Sequence, residues 1–402
     1  MKKNYKLIAV VLFIIGAAYL LFAKDNTVIK FKKIPTEAFD DTLIEIDLTK
    51  EHRENYDFGD AFEIIDIIPL KRTQRESRLT KVDKIVSYGS KYIISDPELK
   101  AITVFDKTGD YHQRIGAFGE DSSQYLDITD FLFDQTDRSI KVYSSASRGI
   151  LTYDINGKFR SYVEVPFFGY KFAKQSSGFL FFMNNNFNEE SGYNNIVQVN
   201  NFGKVTGKAF HTTSTLRPAI SFSGALTGSD DDILSSMPFN DTIFKITNQG
   251  YYPKYVFNFG HCAFRNFETV PLDRLNAEMM NHCFLEDGFI EKENILSFSF
   301  SDLKRRKTLL GYHFKDRNIT ITSDMFIEKS LIWFLSRPKL IEGDNIYSIF
   351  NTQLFSAQPD RKKIVKNIYN YSPKLAAVLD TLNIRSEHNP ILVCYRKRRL
   401  QN

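Results

Sequence analysis

A ring of six four-stranded sheets, an all-β six-bladed β-propeller with small helical insertions, is the fold this sequence predicts. Three observations carry the prediction. Turns rich in Asp, Asn and Gly recur at a nearly constant spacing, aromatic and β-branched residues dominate, and an apolar strand stands at each end of the body.

The turns Asp106-Lys107-Thr108-Gly109, Asp154-Ile155-Asn156-Gly157, Asn200-Asn201-Phe202-Gly203 and Thr247-Asn248-Gln249-Gly250 begin 48, 46 and 47 positions apart. A four-stranded propeller blade takes about 40–50 residues, so each turn marks one outer hairpin. Residues 102–134 show the unit: Val104 and Phe105 lead into the turn and Tyr111 to Ile115 leads out. A Gly-bearing loop and the next inner strand follow. A fifth hairpin at 309–323 turns at Lys315-Asp316-Arg317-Asn318. It is delayed by an insertion at 267–287 that reads as helix, with Pro271 in the first turn and Leu272, Leu275, Met279 and Cys283 at three- and four-residue steps. A second helix is expected over 372–382, where Ser372 is the N-cap, Pro373 opens the helix and Leu375, Leu379 and Leu382 share a face. Runs 345–350 and 390–395 supply the sixth blade. The end strands AFEIIDIIPL (61–70) and PILVCYRK (390–397) are expected to pair in one sheet and close the ring.

The N-terminus has a different character. Lys2, Lys3 and Lys6 precede an uncharged apolar run at 7–23, the form of an export signal. The run is a little short for a span of about 20 residues yet long for a signal core, so cleavage after residue 23 and retention as a membrane anchor both stand. Residues 24–55 read as a tether holding a short strand near 43–48, and 56–402 as the propeller. Without the first 23 residues the formal charge falls from +5 to +2, so the basic balance belongs partly to the leader. The remaining basic clusters, 304–307, Arg361-Lys362-Lys363 with Lys366, and 396–399, read as solvated turns or the extreme C-terminus, and no nucleic-acid partner is expected.

Candidate chemistry is sparse. Cys262, Cys283 and Cys394 are too few for a disulfide scaffold. His261-Cys262 and His282-Cys283 lack the gap that lets paired ligands converge on one metal, so no metal is expected. Buried thiols are the ordinary state for such cysteines. A Cys262–Cys283 disulfide is the alternative, because the residues before a helix of roughly 13 residues can reach back along its length of about 20 Å. The acidic run at 230–232 lacks the spacing and glycine of a calcium loop. No nucleophile elbow, phosphate loop, zinc-protease helix or dinucleotide fingerprint is present, and no cofactor is expected. In a propeller, ligands meet the channel mouth where loops from many blades converge. That makes Tyr125, Asp127 and Asp130 in the loop between the first two blades, with Asn184, Asn185 and Asn186, the candidate ligand-binding residues.

The segment 105–133 resembles the NHL-type repeat, in which an Asp-Gly turn leads to a strand, an Ile-Gly pair and a loop before the next strand. IIDIIPLKRT (64–73), VFDKTGDYHQRIG (104–116), PFNDTIFKI (238–246), VFNFG (256–260) and NPILVCYRKR (389–398) together resemble a family of exported six-bladed β-propellers of bacterial cell envelopes, related to NHL and TolB-like propellers and often lipoproteins. The likeness covers about 45–402. The family loop after Ile-Gly is replaced here by Glu120-Asp121-Ser122-Ser123-Gln124-Tyr125, which keeps only the tyrosine, and no cysteine follows the apolar run to carry a lipid. The resemblance implies the fold and a place on the periplasmic side of the envelope. The functional expectation is a non-catalytic propeller binding a glycan, peptide or envelope protein, reaching the membrane through its N-terminal segment if that is uncleaved. A propeller hydrolase or lyase acting on a polysaccharide is the alternative.

Overall fold

The computed structural model describes residues 28–35, 42–49, 58–212, 225–230, 232–265, 267–286, 288–325, 331–381 and 388–398, so the apolar run at 7–23 lies outside the described residues. Among the described residues no helix is long and apolar enough to cross a membrane.

Six sheets follow one another round a ring. Blade 1 comprises Lys84–Tyr88, Lys91–Asp96, Ala101–Asp106 and Tyr111–Ile115, and blade 2 comprises Asp130–Asp134, Ser139–Ser144, Gly149–Asp154 and Phe159–Glu164. Blade 3 runs through Lys171–Gln175, Gly178–Phe182, Asn194–Asn200 and Val205–His211. Blade 4 runs through Leu226–Thr227, Ile233–Ser236, Thr242–Ile246 and Gly250–Asn258. In blade 5 the inner position is shared by Cys283–Leu285 and Ile290–Lys292, which both pair with Ile295–Asp302; Lys307–Phe314 and Ile319–Asp324 complete it. Blade 6 takes Leu340–Glu342, Asn345–Phe350 and Ile391–Lys397 from the C-terminal part and its outermost strand, Phe62–Pro69, from the beginning of the body. The antiparallel register runs from Ile391 opposite Pro69 to Lys397 opposite Phe62, so the expected pairing of the two ends closes the ring.

Each predicted turn joins the third and fourth strands of its blade. In the first three, the residue that opens the turn accepts from the glycine N–H: Gly109 to Asp106 at 2.8 Å, Gly157 to Asp154 at 2.9 Å and Gly203 to Asn200 at 3.0 Å. Each of these glycines has φ near +80°, the left-handed state that costs glycine least. A second demand falls on the same atoms, because a Cβ on Gly109 would sit 2.1 Å from the Pro69 carbonyl oxygen, on Gly157 3.0 Å from that of Arg114, and on Gly203 1.8 Å from that of Glu164. Every one of those carbonyls lies at the end of the preceding blade's outer strand. The turn glycine is thus the contact by which one blade seats on the last.

Apolar side chains from facing blades fill the spaces between them, as where Ile93, Ile102 and Val104 of blade 1 meet Phe131, Ile140 and Val142 of blade 2. The helix expected at 267–287 is Leu272–Met279; Leu275 and Met279 are buried, but Cys283 lies beyond it in a strand. The helix expected from Ser372 is Pro373–Thr381, with Ser372 Oγ accepting from the Leu375 N–H. Two expectations need correction. Arg361, Lys362, Lys363 and Lys366 belong to a helix, Arg361–Tyr371, whose Ile364 and Ile368 are buried in the same core as Leu375 and Leu379 of the helix that follows. The stretch read as a tether is, where described, part of the propeller: Ile29–Lys30 adds a parallel strand to the rim of blade 3, while Lys32–Lys33 and Ile44–Asp47 do the same for blade 4. Phe31, between them, is buried in the core shared by those blades.

Two stability predictions follow from these contacts. Gly203→Ala combines a close approach with a positive φ and is expected to cost about 2–4 kcal/mol in urea denaturation. Gly89→Ala, also at positive φ but with nothing within 4 Å of the added carbon, should cost only about 1 kcal/mol. Ending the chain before Ile391 removes the partner of Phe62–Pro69 and should broaden the thermal transition and lower its midpoint; an unchanged melt would show that the ring does not depend on this pairing.

Candidate functional site: the central channel

The inner strands are the shortest of each blade where the ring narrows, two residues in blade 4 and three in blade 6. They surround a cavity of about 980 Å³, lined by residues of five blades together with Gln135 at the end of the blade 2 inner strand. The lining mixes charge of both signs: Asp83, Lys84, Lys171, Asp232, Glu291, Lys292, Glu293, Arg337, Lys339 and Glu342 all face it, with Tyr170 and Phe289 the aromatic members.

Most of these charges link one blade to another. Lys84 of blade 1 donates to Asp130 of blade 2 at 2.9 Å, and the other Asp130 oxygen accepts from the Phe172 N–H of blade 3 at 3.1 Å. Lys171 of blade 3 pairs with Asp83 beside blade 1 at 3.3 Å. Lys107 of blade 1 reaches Glu342 of blade 6 at 3.0 Å, Lys315 and the Tyr255 hydroxyl both donate to Glu291, and Arg337 pairs with Glu286. Burial alone would raise the Asp83 carboxyl, but Lys171, Lys339 and Lys84 outweigh it and hold it below the usual aspartate value. Glu342 is likewise held low against burial, by hydrogen bonds from Ser87 and Lys107. Burial opposes the charge on Lys171, yet Asp130 and Asp83 prevail and raise it.

None of the six candidate residues lines the cavity; Asp130 stands behind its wall, joined to the lining Lys84. Asp130 has no exposed side-chain surface and is the hub just described. Tyr125 is 1% exposed, donates to the Ile115 carbonyl at 3.0 Å and packs edge-on to Tyr153 between blades 1 and 2; burial pushes its hydroxyl up to about 12. It is a core residue, not a mouth residue. Asp127 accepts from Ser144, from Ser145 at 2.9 Å, from Thr129 at 2.9 Å and from the Ala146 N–H at 3.2 Å, and so orders the adjoining loop. Asn184 and Asn185 are buried with φ of 49° and 61°, a left-handed pair that asparagine tolerates, and Asn185 exchanges hydrogen bonds with Asn195. The Asn186 N–H closes the same turn on Met183. In blades 4 and 6 the channel residues carry no local signal, since an inner strand of two or three residues has no period to read.

Cys262 and Cys283 form a disulfide, with Cα atoms 5.2 Å apart. It joins the end of blade 4 to the start of blade 5 and fastens both ends of the helical insertion between them. Cys394 is free and buried, and burial raises its thiol to about 11. Among the described residues no group of His, Cys, Asp and Glu could hold a metal ion.

The fold and channel define a six-bladed β-propeller with a polar, charge-paired bore. The chain belongs to the family described as Domain of unknown function (DUF4934), which matches residues 42–396. A search of curated proteins gives no match. Among solved structures, a candidate exported protein of Bacteroides fragilis superposes with a TM-score of 0.70 at 17% identity, over 89% of this chain and 100% of that one. A member of the DUF4221 family from Bacteroides vulgatus superposes with a TM-score of 0.52 at 8% identity, over 85% of this chain and 99% of that one. At these identities the likeness shows the fold.

A pH prediction comes from the paired carboxylates. Asp83 and Glu342 are depressed in the folded chain, so their contribution to stability is present above the ordinary carboxylate pKa of about 4 and is lost as pH falls through the depressed values. The double change Asp83→Asn with Glu342→Gln should therefore flatten the acid limb of a stability-against-pH curve and leave the slope between pH 6 and 8 unaltered.

Proposed function

We propose that the protein is a non-catalytic binding propeller of the cell envelope, exported by its N-terminal segment to the periplasmic side, which takes a polar ligand into the central channel. A glycan, a peptide or a loop of an envelope protein is the class that fits a bore of about 980 Å³ with charge of both signs. The observation that carries the reading is the pairing of four of the five channel carboxylates: Asp83 with Lys171, Asp232 with Lys245, Glu291 with Lys315 and Glu342 with Lys107. A glycosidase needs one carboxyl that keeps its proton near neutrality beside another that stays ionised. Cationic partners hold Asp83 and Glu342 in the ionised form against burial, which suits hydrogen-bonding recognition and works against a general acid at either position. Export is supported by the basic-flanked apolar run and by the exported character assigned to the Bacteroides fragilis relative.

The test is a melting screen of the protein against short zwitterionic peptides and neutral oligosaccharides, with Thr227→Trp as a variant that fills the bore from blade 4. A ligand at a hundredfold excess over its Kd should stabilise the wild type by about 2.7 kcal/mol and leave the plugged variant unmoved. Equal stabilisation of both would place binding outside the channel. Cleavage of an oligosaccharide or peptide, lost in Thr227→Trp, would replace this reading with the hydrolase or lyase one.

A further inference from the structure

The most exposed large apolar side chain among the described residues is Phe202, 89% exposed at the tip of the blade 3 outer hairpin. Its turn does not require it. Asn200 Oδ1 accepts from the N–H groups of residues 202 and 204 at 2.9 and 3.0 Å, and Gly203 supplies the left-handed step, so any side chain would serve at 202. The equivalent positions in the other three turns of this series are Thr108, Asn156 and Gln249, all polar. Only blade 3 carries an aromatic there.

The N-terminal strap joins the propeller beside that tip. Ile29 and Lys30 pair in parallel with Gly207 and Lys208, so the upstream end of the strap lies at the same end of the rim strand as the Phe202 turn. Phe202 stands five positions before Gly207, and Ala23, the last residue of the apolar run, stands five before Val28. At about 3.5 Å per residue, either interval spans at most roughly 17 Å. Val28 is itself 43% exposed, and Lys30 and Lys204 on blade 3, with Lys32 and Lys33 on the outer edge of blade 4, are exposed as well. An aromatic tip among lysines, placed where a basic-flanked apolar run meets the propeller, fits the headgroup layer of an acidic bilayer, where aromatic rings settle and each nearby lysine strengthens partitioning by about fivefold.

We propose that the adjoining outer edges of blades 3 and 4 are a membrane-contact surface, with Phe202 in the interfacial layer and Lys30, Lys32, Lys33 and Lys204 over acidic headgroups. This rests on the envelope location proposed above but not on any channel ligand, and it commits to a lipid surface. Where the N-terminal segment is retained, this surface is a second point of attachment that fixes how the propeller lies on the bilayer.

The test uses the full-length gene product in whichever form cells accumulate, anchored or cleaved, reconstituted with vesicles of phosphatidylethanolamine and phosphatidylglycerol. A nitroxide is placed on Phe202→Cys and, across the ring on blade 6, on Asp344→Cys; the buried Cys394 thiol stays unlabelled. Collision with oxygen should exceed collision with a water-soluble nickel chelate at 202, and the order should reverse at 344. Replacing Lys30, Lys32 and Lys33 by glutamine should reduce the protection of the 202 label and lower vesicle partitioning of a cleaved form by about tenfold or more. A label at 202 as open to nickel as the one at 344 overturns the proposal, including the case in which the N-terminal segment alone holds the protein. Loss of a channel ligand in the melting screen leaves this measurement untouched, so the two readings fail separately.

Discussion

Pairing between Phe62–Pro69 and Ile391–Lys397 is the constraint on which the molecule depends, because a ring of sheets is stable only when no blade is left with an unfilled edge. The two strands come from opposite ends of the body, so their meeting waits on the correct placement of everything between. The turn glycines make that placement accurate. Each seats on the carbonyl that ends the preceding outer strand, with no room for a Cβ at Gly109 or Gly203, and errors in blade spacing therefore do not accumulate round the ring.

Closure also decides what the channel can be. Inner strands converge too closely to interdigitate large apolar side chains, and the wall is completed by charges that bridge blades: Lys84 to Asp130, Lys171 to Asp83, Lys107 to Glu342. A buried carboxylate such as Asp130 is tolerable only because a cation and a backbone N–H both meet it. The same links that neutralise the bore hold it open as a preformed polar cavity, so a ligand entering it exchanges hydrogen bonds with groups already fixed in place instead of ordering them.

The architecture was legible in the sequence because its signals are local. An Asp or Asn five residues ahead of its following strand and a glycine at the left-handed step identify a hairpin wherever they occur, and the apolar runs at 61–70 and 390–397 are visible without knowledge of their partners. The docking of Ile29–Lys30 and Ile44–Asp47 was not legible, since edge pairing is settled by the strand already present and not by the one that joins it. Arg361, Lys362 and Lys363 concealed a helix whose real marker was the four-residue step from Ile364 to Ile368. Tyr125 misled for a related reason: its ring and hydroxyl suit a ligand and a backbone carbonyl equally, and only the position of Tyr153 and Ile115 shows which it meets. Asp130 was reached through its neighbours in the loop, whereas Lys84, Lys171 and Glu342 have no neighbours in sequence that announce the channel.

The rim and the bore bear on each other through symmetry. A propeller's channel runs along the ring axis, and a rim lies at right angles to it. With the outer edges of blades 3 and 4 against a bilayer, the axis lies along the membrane surface, and neither mouth is covered. On the proposed reading, a ligand of the bore could enter from either end while this edge of the ring stays on the bilayer, which a mouth-down orientation would forbid.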